Sequence, residues 1–206
     1  MKFNPARYYD RVAAVYDLFT GWFYAPMRRE LVKNLEIRQD DKVLVVACGT
    51  GSLFKYIKEK GGENVWITGV DISEKMLARA RRKIRRHNWK NIALIQADAS
   101  KMDKNLFRLH GVPEEYDVVI GELAFSVIPQ WKEALSRAVD VLKSGGRLGL
   151  LDWYCPRKNL IAKIVDFLAC SDCTRPVVTE ARKLLGNLQI VRRYFGGYVY
   201  VAISFR

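Results

Sequence analysis

Val43-Leu-Val-Val-Ala-Cys-Gly-Thr-Gly51, followed by Val65-Trp-Ile-Thr-Gly-Val-Asp71, decides how this chain folds. The first run is apolar without alternation, which is the pattern of a strand buried on both faces. Cys48-Gly-Thr-Gly51 ends it, because glycine lets the backbone turn sharply and lets a ligand approach main-chain atoms. Phe54, Tyr56 and Ile57 lie in the helical stretch that follows. The second apolar run delivers Asp71 twenty residues after Gly51. A doubly wound α/β fold places a carboxylate there to accept hydrogen bonds from ribose hydroxyls, the lesser alternative being that Asp71 caps the next helix. A dinucleotide site is disfavoured, since the third glycine of Gly-x-Gly-x-x-Gly falls on Phe54. No Gly-Lys-Ser/Thr follows, which argues against a nucleotide triphosphate.

Around this core the elements alternate. Strands are expected at 43–47, 65–70, 92–97, 117–121, 147–152, 189–195 and 198–205, and helices at 52–60, 74–87, 131–142, 159–169 and 178–186. This order implies an α/β, Rossmann-like, doubly wound seven-stranded sheet, mainly parallel, with helices on both faces. Gly196-Gly197 between the last two strands signals an antiparallel C-terminal hairpin. Two further helices, at 6–19 and 27–35, form an N-terminal helical lid, interrupted at Gly21 and by the aromatic Trp22-Phe23-Tyr24. One domain is expected, made of the lid (1–36), a core (37–152) and a terminal segment (153–206).

With 206 residues, 50% of them hydrophobic, the chain can build a sizeable core. No apolar run reaches the roughly 18 residues of a membrane span, and Met1 to Arg7 leads into no signal-like segment, so a cytoplasmic location is expected. The formal charge is +13. Basic residues concentrate from Arg79 to Lys90, on a helix whose apolar face carries Met76, Leu77, Ala80 and Ile84. Arg79, Arg82, Lys83 and Arg86 then face outward, either as a solvated surface or as a contact for anionic lipid or nucleic acid. Cys170-Ser-Asp-Cys173, with Cys155 upstream, falls short of the four ligands of structural zinc, and no metal site is expected. His87 and His110 fall in the basic helix and a loop, and neither is favoured as a base.

The glycine loop resembles the first motif of class I S-adenosylmethionine-dependent methyltransferases, usually close to Leu-Asp-x-Gly-Cys-Gly-Thr-Gly. Here Val45 replaces the Asp, and Ala47, small enough for a tight turn at negative φ, replaces the first glycine. Ile95-Gln-Ala-Asp98-Ala99-Ser resembles the third motif, in which the acid meets the adenine amine and Ala99 offers its N–H. Tyr116-Asp-Val-Val-Ile-Gly-Glu122 and Leu142-Lys-Ser-Gly-Gly resemble later segments of the same family, so the likeness covers roughly residues 40–152. It implies S-adenosylmethionine as cofactor, held by Ala47, Cys48, Gly49, Thr50, Gly51, Asp71, Ile72, Met76, Asp98, Ala99 and Glu122. Asp117 reads instead as a turn acid.

Tyr9-Asp-Arg-Val-Ala-Ala-Val-Tyr16-Asp17 resembles the opening of the ubiquinone/menaquinone methyltransferase and phosphatidylethanolamine N-methyltransferase group. That likeness places Tyr9 and Tyr16 over the reacting sulfonium through cation–π attraction, or simply docks the helix by a tyrosine stripe. Glu122 is the remaining catalytic candidate, a carboxylate that holds or deprotonates an amine. Residues 153–186 are expected on the acceptor side, with Ile161, Ile164, Val165 and Leu168 on one face of a helix that packs on the sheet or lies on a membrane. The expected activity is methyl transfer to a lipid or small molecule, a phospholipid amine nitrogen first and a quinone-type ring carbon second. Peripheral contact with anionic membrane through Arg79–Lys90 accompanies it. The alternatives are RNA or protein methylation, and a non-catalytic cofactor- or nucleic-acid-binding module.

Overall fold

The computed structural model describes residues 21–169 and 171–206. Strands β1 (Lys42–Val46), β2 (Trp66–Asp71), β3 (Ile92–Gln96), β4 (Tyr116–Glu122), β5 (Leu142–Trp153), β6 (Gln189–Tyr194) and β7 (Val199–Phe205) form one sheet in the order β3-β2-β1-β4-β5-β7-β6. The first five are parallel, and β7 runs antiparallel to both β5 and β6. The strand order reverses between β1 and β4, so the crevice in which such sheets bind ligands opens at the carboxyl ends of these two strands.

Strand β1 shows why its sequence does not alternate. Val43 and Val45 enter one core cluster, Leu44 and Val46 the cluster on the opposite face, and all four are shielded from solvent. The first cluster gathers Leu31 of α1 (Ala25–Asn34) and Leu35 at its C-cap, Phe54 and Ile57 of α2 (Phe54–Gly61), and Leu77 and Ala80 of α3 (Glu74–Arg86). The second takes Phe107 of α4 (Lys104–Leu109), Ala134, Leu135 and Ala138 of α5 (Trp131–Asp140), and Val177 and Ala181 of α7 (Val177–Leu185). A further helix, α6 (Leu160–Ala169), is capped at its first turn by Asn159, whose Oδ1 accepts from Ala162 N at 2.9 Å. The free carbonyls where α1 ends are satisfied from β5, since Arg147 donates to Leu35 O at 3.0 Å and Glu36 O at 2.6 Å while pairing with Asp41 at 2.7 Å.

Several boundaries differ from expectation for physical reasons. Strand β5 starts at Leu142 rather than 147, because Gly145 N donates to Arg206 O and Arg206 N to Gly146 O, both at 2.8 Å. The helix expected to run to 142 therefore stops at Asp140. The short helix α4 was not expected; Asp103 caps it by accepting from Leu106 N at 2.7 Å. Gly21 to Phe23 are helical, and the break falls at Tyr24, just before Pro26 in the first turn of α1. The expected helix at 6–19, with Tyr9 and Tyr16, lies outside the described residues. Along α6, Ala162 is buried and Val165 partly so, whereas Ile164, expected on the packed face, is half exposed. Among the described residues no helix is long and apolar enough to cross a membrane.

Candidate active site

The glycine loop leaves β1 through three residues of positive φ: Ala47 at 49°, Gly49 at 55° and Gly51 at 71°. Ala47 thus does not keep the negative φ expected of it. A left-handed alanine costs about 1–2 kcal/mol, which the surrounding turn must hold in place. The two glycines have different reasons to be glycine. A Cβ on Gly51 would lie 2.6 Å from the Phe54 ring and 3.3 Å from Ala80, whereas one on Gly49 would meet nothing within 4 Å. Gly51 is small because the core presses on it; Gly49 is small where the loop faces open space.

Asp71 ends β2 and holds this loop. Its Oδ2 accepts from Gly49 N at 2.7 Å and its Oδ1 from Ser73 N at 2.9 Å, while Ser73 itself caps α3 through Met76 N. Asp71 therefore stands between the loop and the helix start, as a ribose-binding acid does and as a helix-entry residue does. Thr50 is buried, and Lys83 Nζ of α3 donates to Thr50 Oγ1 at 3.0 Å and Ser52 Oγ at 3.2 Å. Lys83 thus belongs to the loop, not to the outward basic face on which the pattern placed it. Arg82, Arg85, Arg86 and Lys90 are exposed, and Arg81 pairs with Glu74. Burial beside Asp71 pushes the Cys48 thiol well above its usual range, which suits a packing residue rather than a nucleophile.

The remaining expected residues line up along the same edge. Asp98 Oδ1 accepts from Ser100 N at 2.9 Å and Ser100 Oγ at 2.8 Å, capping the short turn Ala99–Lys101 after β3. Ile72 is exposed beside Asp71, Met76 is buried at the start of α3, and Ala99 is buried. Asp117 lies at the opposite end of β4, paired with Lys143 at 2.7 Å and accepting from Lys42 N, and takes no part in the crevice.

Glu122 ends β4, and the structure gives it a partner that the sequence did not suggest. Arg28, on the buried face of α1, donates Nε to Glu122 Oε1 at 2.5 Å, with side-chain exposures of 2% and 10%. Arg28, Val45, Ala47, Cys48, Gly49, Thr50, Ser52 and Glu122 line a small cleft. Val45 leaves the cleft floor apolar where relatives of the motif carry Asp; the Arg28–Glu122 pair supplies the polar groups. Arg28 also lies 5.8 Å from the Tyr24 ring, and Tyr24 Oη accepts from Trp153 Nε1 at 2.8 Å. Burial pushes the Tyr24 phenol up to about 12, so it is neutral at physiological pH. Beyond it the rings of Phe23 and Phe195 stack at 4.9 Å and 5°, and Phe195 faces Trp153 at 6.4 Å and 9°. Parallel aromatic faces thus continue from the cleft along the carboxyl edge of the sheet.

The loop after β4 is fixed from below. Asp152, completely buried, accepts from Ser126 N at 3.0 Å, Ser126 Oγ at 2.6 Å and Trp153 N at 2.9 Å. Arg175 donates to Phe125 O at 2.8 Å and Ile128 O at 2.5 Å. Burial outweighs these bonds and pushes Asp152 up to about 6. An acid whose folded value exceeds the ordinary value near 3.9 binds its proton more tightly when folded, so its contribution to stability falls as pH rises from about 4 to 6. Relative to Asp152→Asn, wild type is expected to lose about 2–3 kcal/mol of stability across that window. Urea unfolding of both proteins at pH 4 and pH 7 measures it, and a constant difference between them would refute the assignment.

The reversal of strand order, the glycine loop and the acid after β2 define a Rossmann-like methyltransferase fold. A solved S-adenosylmethionine-dependent methyltransferase from Aquifex aeolicus shares it, with a TM-score of 0.64 at 18% identity over 99% of both chains. Residues 43–146, half of the chain, match the family model described as a methyltransferase domain, and the chain belongs to that family, whose cofactor is S-adenosylmethionine. Aklanonic acid methyltransferase of Streptomyces sp. is 30% identical over 141 residues, covering 68% of this chain and 60% of that protein. The ubiquinone/menaquinone biosynthesis C-methyltransferase of Wigglesworthia glossinidia brevipalpis is 31% identical, covering 77% and 62%. The chain thus spans about 60% of the length of these curated relatives.

Proposed function

We propose that the chain transfers the methyl group of S-adenosylmethionine to a planar, quinone-type acceptor. The observation that carries the first half is the open space at Gly49, beside a buried pair of opposite charges. The amino-acid end of S-adenosylmethionine bears a carboxylate and an ammonium. The Arg28 guanidinium suits the one, the Glu122 carboxylate suits the other, and the Gly49 loop leaves room for both. Asp71 would hold the ribose and Asp98 the adenine amine. When bound, the cofactor supplies a sulfonium methyl that needs only an aligned acceptor. The protein's own work is then positioning and exclusion of water. With Glu122 committed to Arg28, its part is to hold charge rather than to remove a proton.

The acceptor reading rests on the stacked Phe23, Phe195 and Trp153, whose parallel faces suit a flat ring, and on the name of the ubiquinone/menaquinone relative. Both move the preference from a phospholipid amine to a ring acceptor. Calorimetry is expected to show S-adenosylmethionine binding by wild type and its loss in Asp71→Ala. Wild-type protein that does not bind would end the enzyme reading. With radiolabelled cofactor, label is expected in a demethylated naphthoquinol and not in phosphatidylethanolamine; the reverse would restore the phospholipid amine.

A further inference from the structure

Cys155 leaves β5 just past Trp153, and Cys173 lies in the loop between α6 and α7; both are completely buried. Of the three cysteines that the sequence groups here, Cys170 lies outside the described residues, and the fold brings Cys155 to Cys173. Cys155 N donates to Cys173 O at 2.7 Å, so the two backbones run side by side. This bond and the shared buried cluster set the two side chains next to each other, the arrangement a disulfide needs. Both cysteines belong to one small buried apolar cluster with Ala162, flanked by Val165, Trp153 and Tyr198, and Cys173 Sγ lies 4.0 Å from Ala162 O. Cys173 N is fixed by Asp166 Oδ1 at 2.8 Å, which holds the loop in register with α6. Nothing in the methyl-transfer reading uses either sulfur.

We infer that Cys155 and Cys173 are a covalent modification site, forming an intramolecular disulfide by exchange with a low-molecular-weight disulfide. One cysteine thiolate attacks the small disulfide, forming a mixed disulfide and expelling one small thiol. The second protein thiolate attacks that mixed disulfide, closing the Cys155–Cys173 bond and expelling a second small thiol. The protein loses two hydrogens and the small disulfide is reduced to two thiols. Burial shields the thiols in the closed protein and pushes Cys173 upward, so exchange proceeds through opening of the α6 segment. The bond closes a loop of 19 residues that carries all of α6. It thereby ties this helix to the end of β5, removing freedom chiefly from the unfolded chain.

The test equilibrates the full chain in mixtures of reduced and oxidised glutathione, both from the native state and by refolding from denaturant, so that access is not limiting. Free thiols are then alkylated and the peptides mapped without reduction. A Cys155–Cys173 peptide is expected, with the melting temperature of the oxidised protein raised by about 5–10 °C. Cys170→Ser should crosslink as wild type does, while Cys155→Ser and Cys173→Ser should show no shift. Both thiols remaining alkylatable in oxidising buffer after refolding, or a crosslink from Cys170 to Cys173, would overturn the inference.

Discussion

Replacing Arg28 with methionine is expected to lower the stability of the fold by about 3–5 kcal/mol. The loss comes less from the missing attraction than from the partner left behind. Glu122 is only 10% exposed, and without the guanidinium its carboxylate stays buried with no counter-charge. Arg28 sits on the same buried face of α1 as Met27, Leu31 and Val32, so a methionine of similar length fits the packing. Removing both charges, in Arg28→Met with Glu122→Leu, should therefore recover most of the loss. Urea unfolding of the two single variants and the double variant gives the coupling directly. A double variant as unstable as the sum of the singles would mean that the two side chains act independently.

Gly51→Ala is expected to cost about 2–5 kcal/mol, combining a left-handed alanine at about 1–2 with core overpacking at about 1–3. Its φ of 71° and a Cβ 2.6 Å from the Phe54 ring leave neither backbone nor side chain an easy escape. Gly49→Ala provides the contrast, since only the left-handed backbone penalty applies there. Its stability should fall by about 1–2 kcal/mol, while its affinity for S-adenosylmethionine falls at least about tenfold as the methyl fills the space the ligand needs. Thermal melts and calorimetry on both variants separate the two roles. Equal melting temperatures would show that the Phe54 contact yields more readily than the geometry implies.

Much of the frame was legible because it rests on local pattern. Val43 to Val46 announced a strand with two buried faces, and Asp71 an acid at the carboxyl end of the next, and both stand at the crevice. Gly196-Gly197 correctly marked the antiparallel turn, where Tyr194 pairs with Val199. What escaped depends on side chains that meet only after the chain has folded. Nothing in the helix pattern singled out Arg28, and Lys83 read as one of a basic run. Only the packing of α1 across β5 and β7, which carries Arg28 to the end of β4, and of α3 against the glycine loop gives them partners. Asp152 looked like the end of a strand; Ser126, 26 positions away, makes it part of the loop above the crevice. The pairing of Cys155 with Cys173 likewise follows from how β5 and the α6–α7 loop come together, which spacing cannot encode. Asp103 is the exception, since a capping residue before Leu106 and Phe107 was there to be read as the start of α4.

The bond from Gly49 N to Asp71 has a consequence for the thermodynamics of binding. Together with Lys83 on Thr50 and Ser52, it holds the loop in shape from within the protein. A ligand entering such a loop meets a surface whose conformational entropy has already been surrendered during folding, so less of its contact energy goes into ordering the chain. In the proposed binding mode the same bond makes the carboxylate a shared resource, since ribose hydroxyls would join a main-chain donor already in place. Association should then resemble insertion into a rigid groove, with a modest heat-capacity change and little rearrangement of the backbone from Val45 to Ser52.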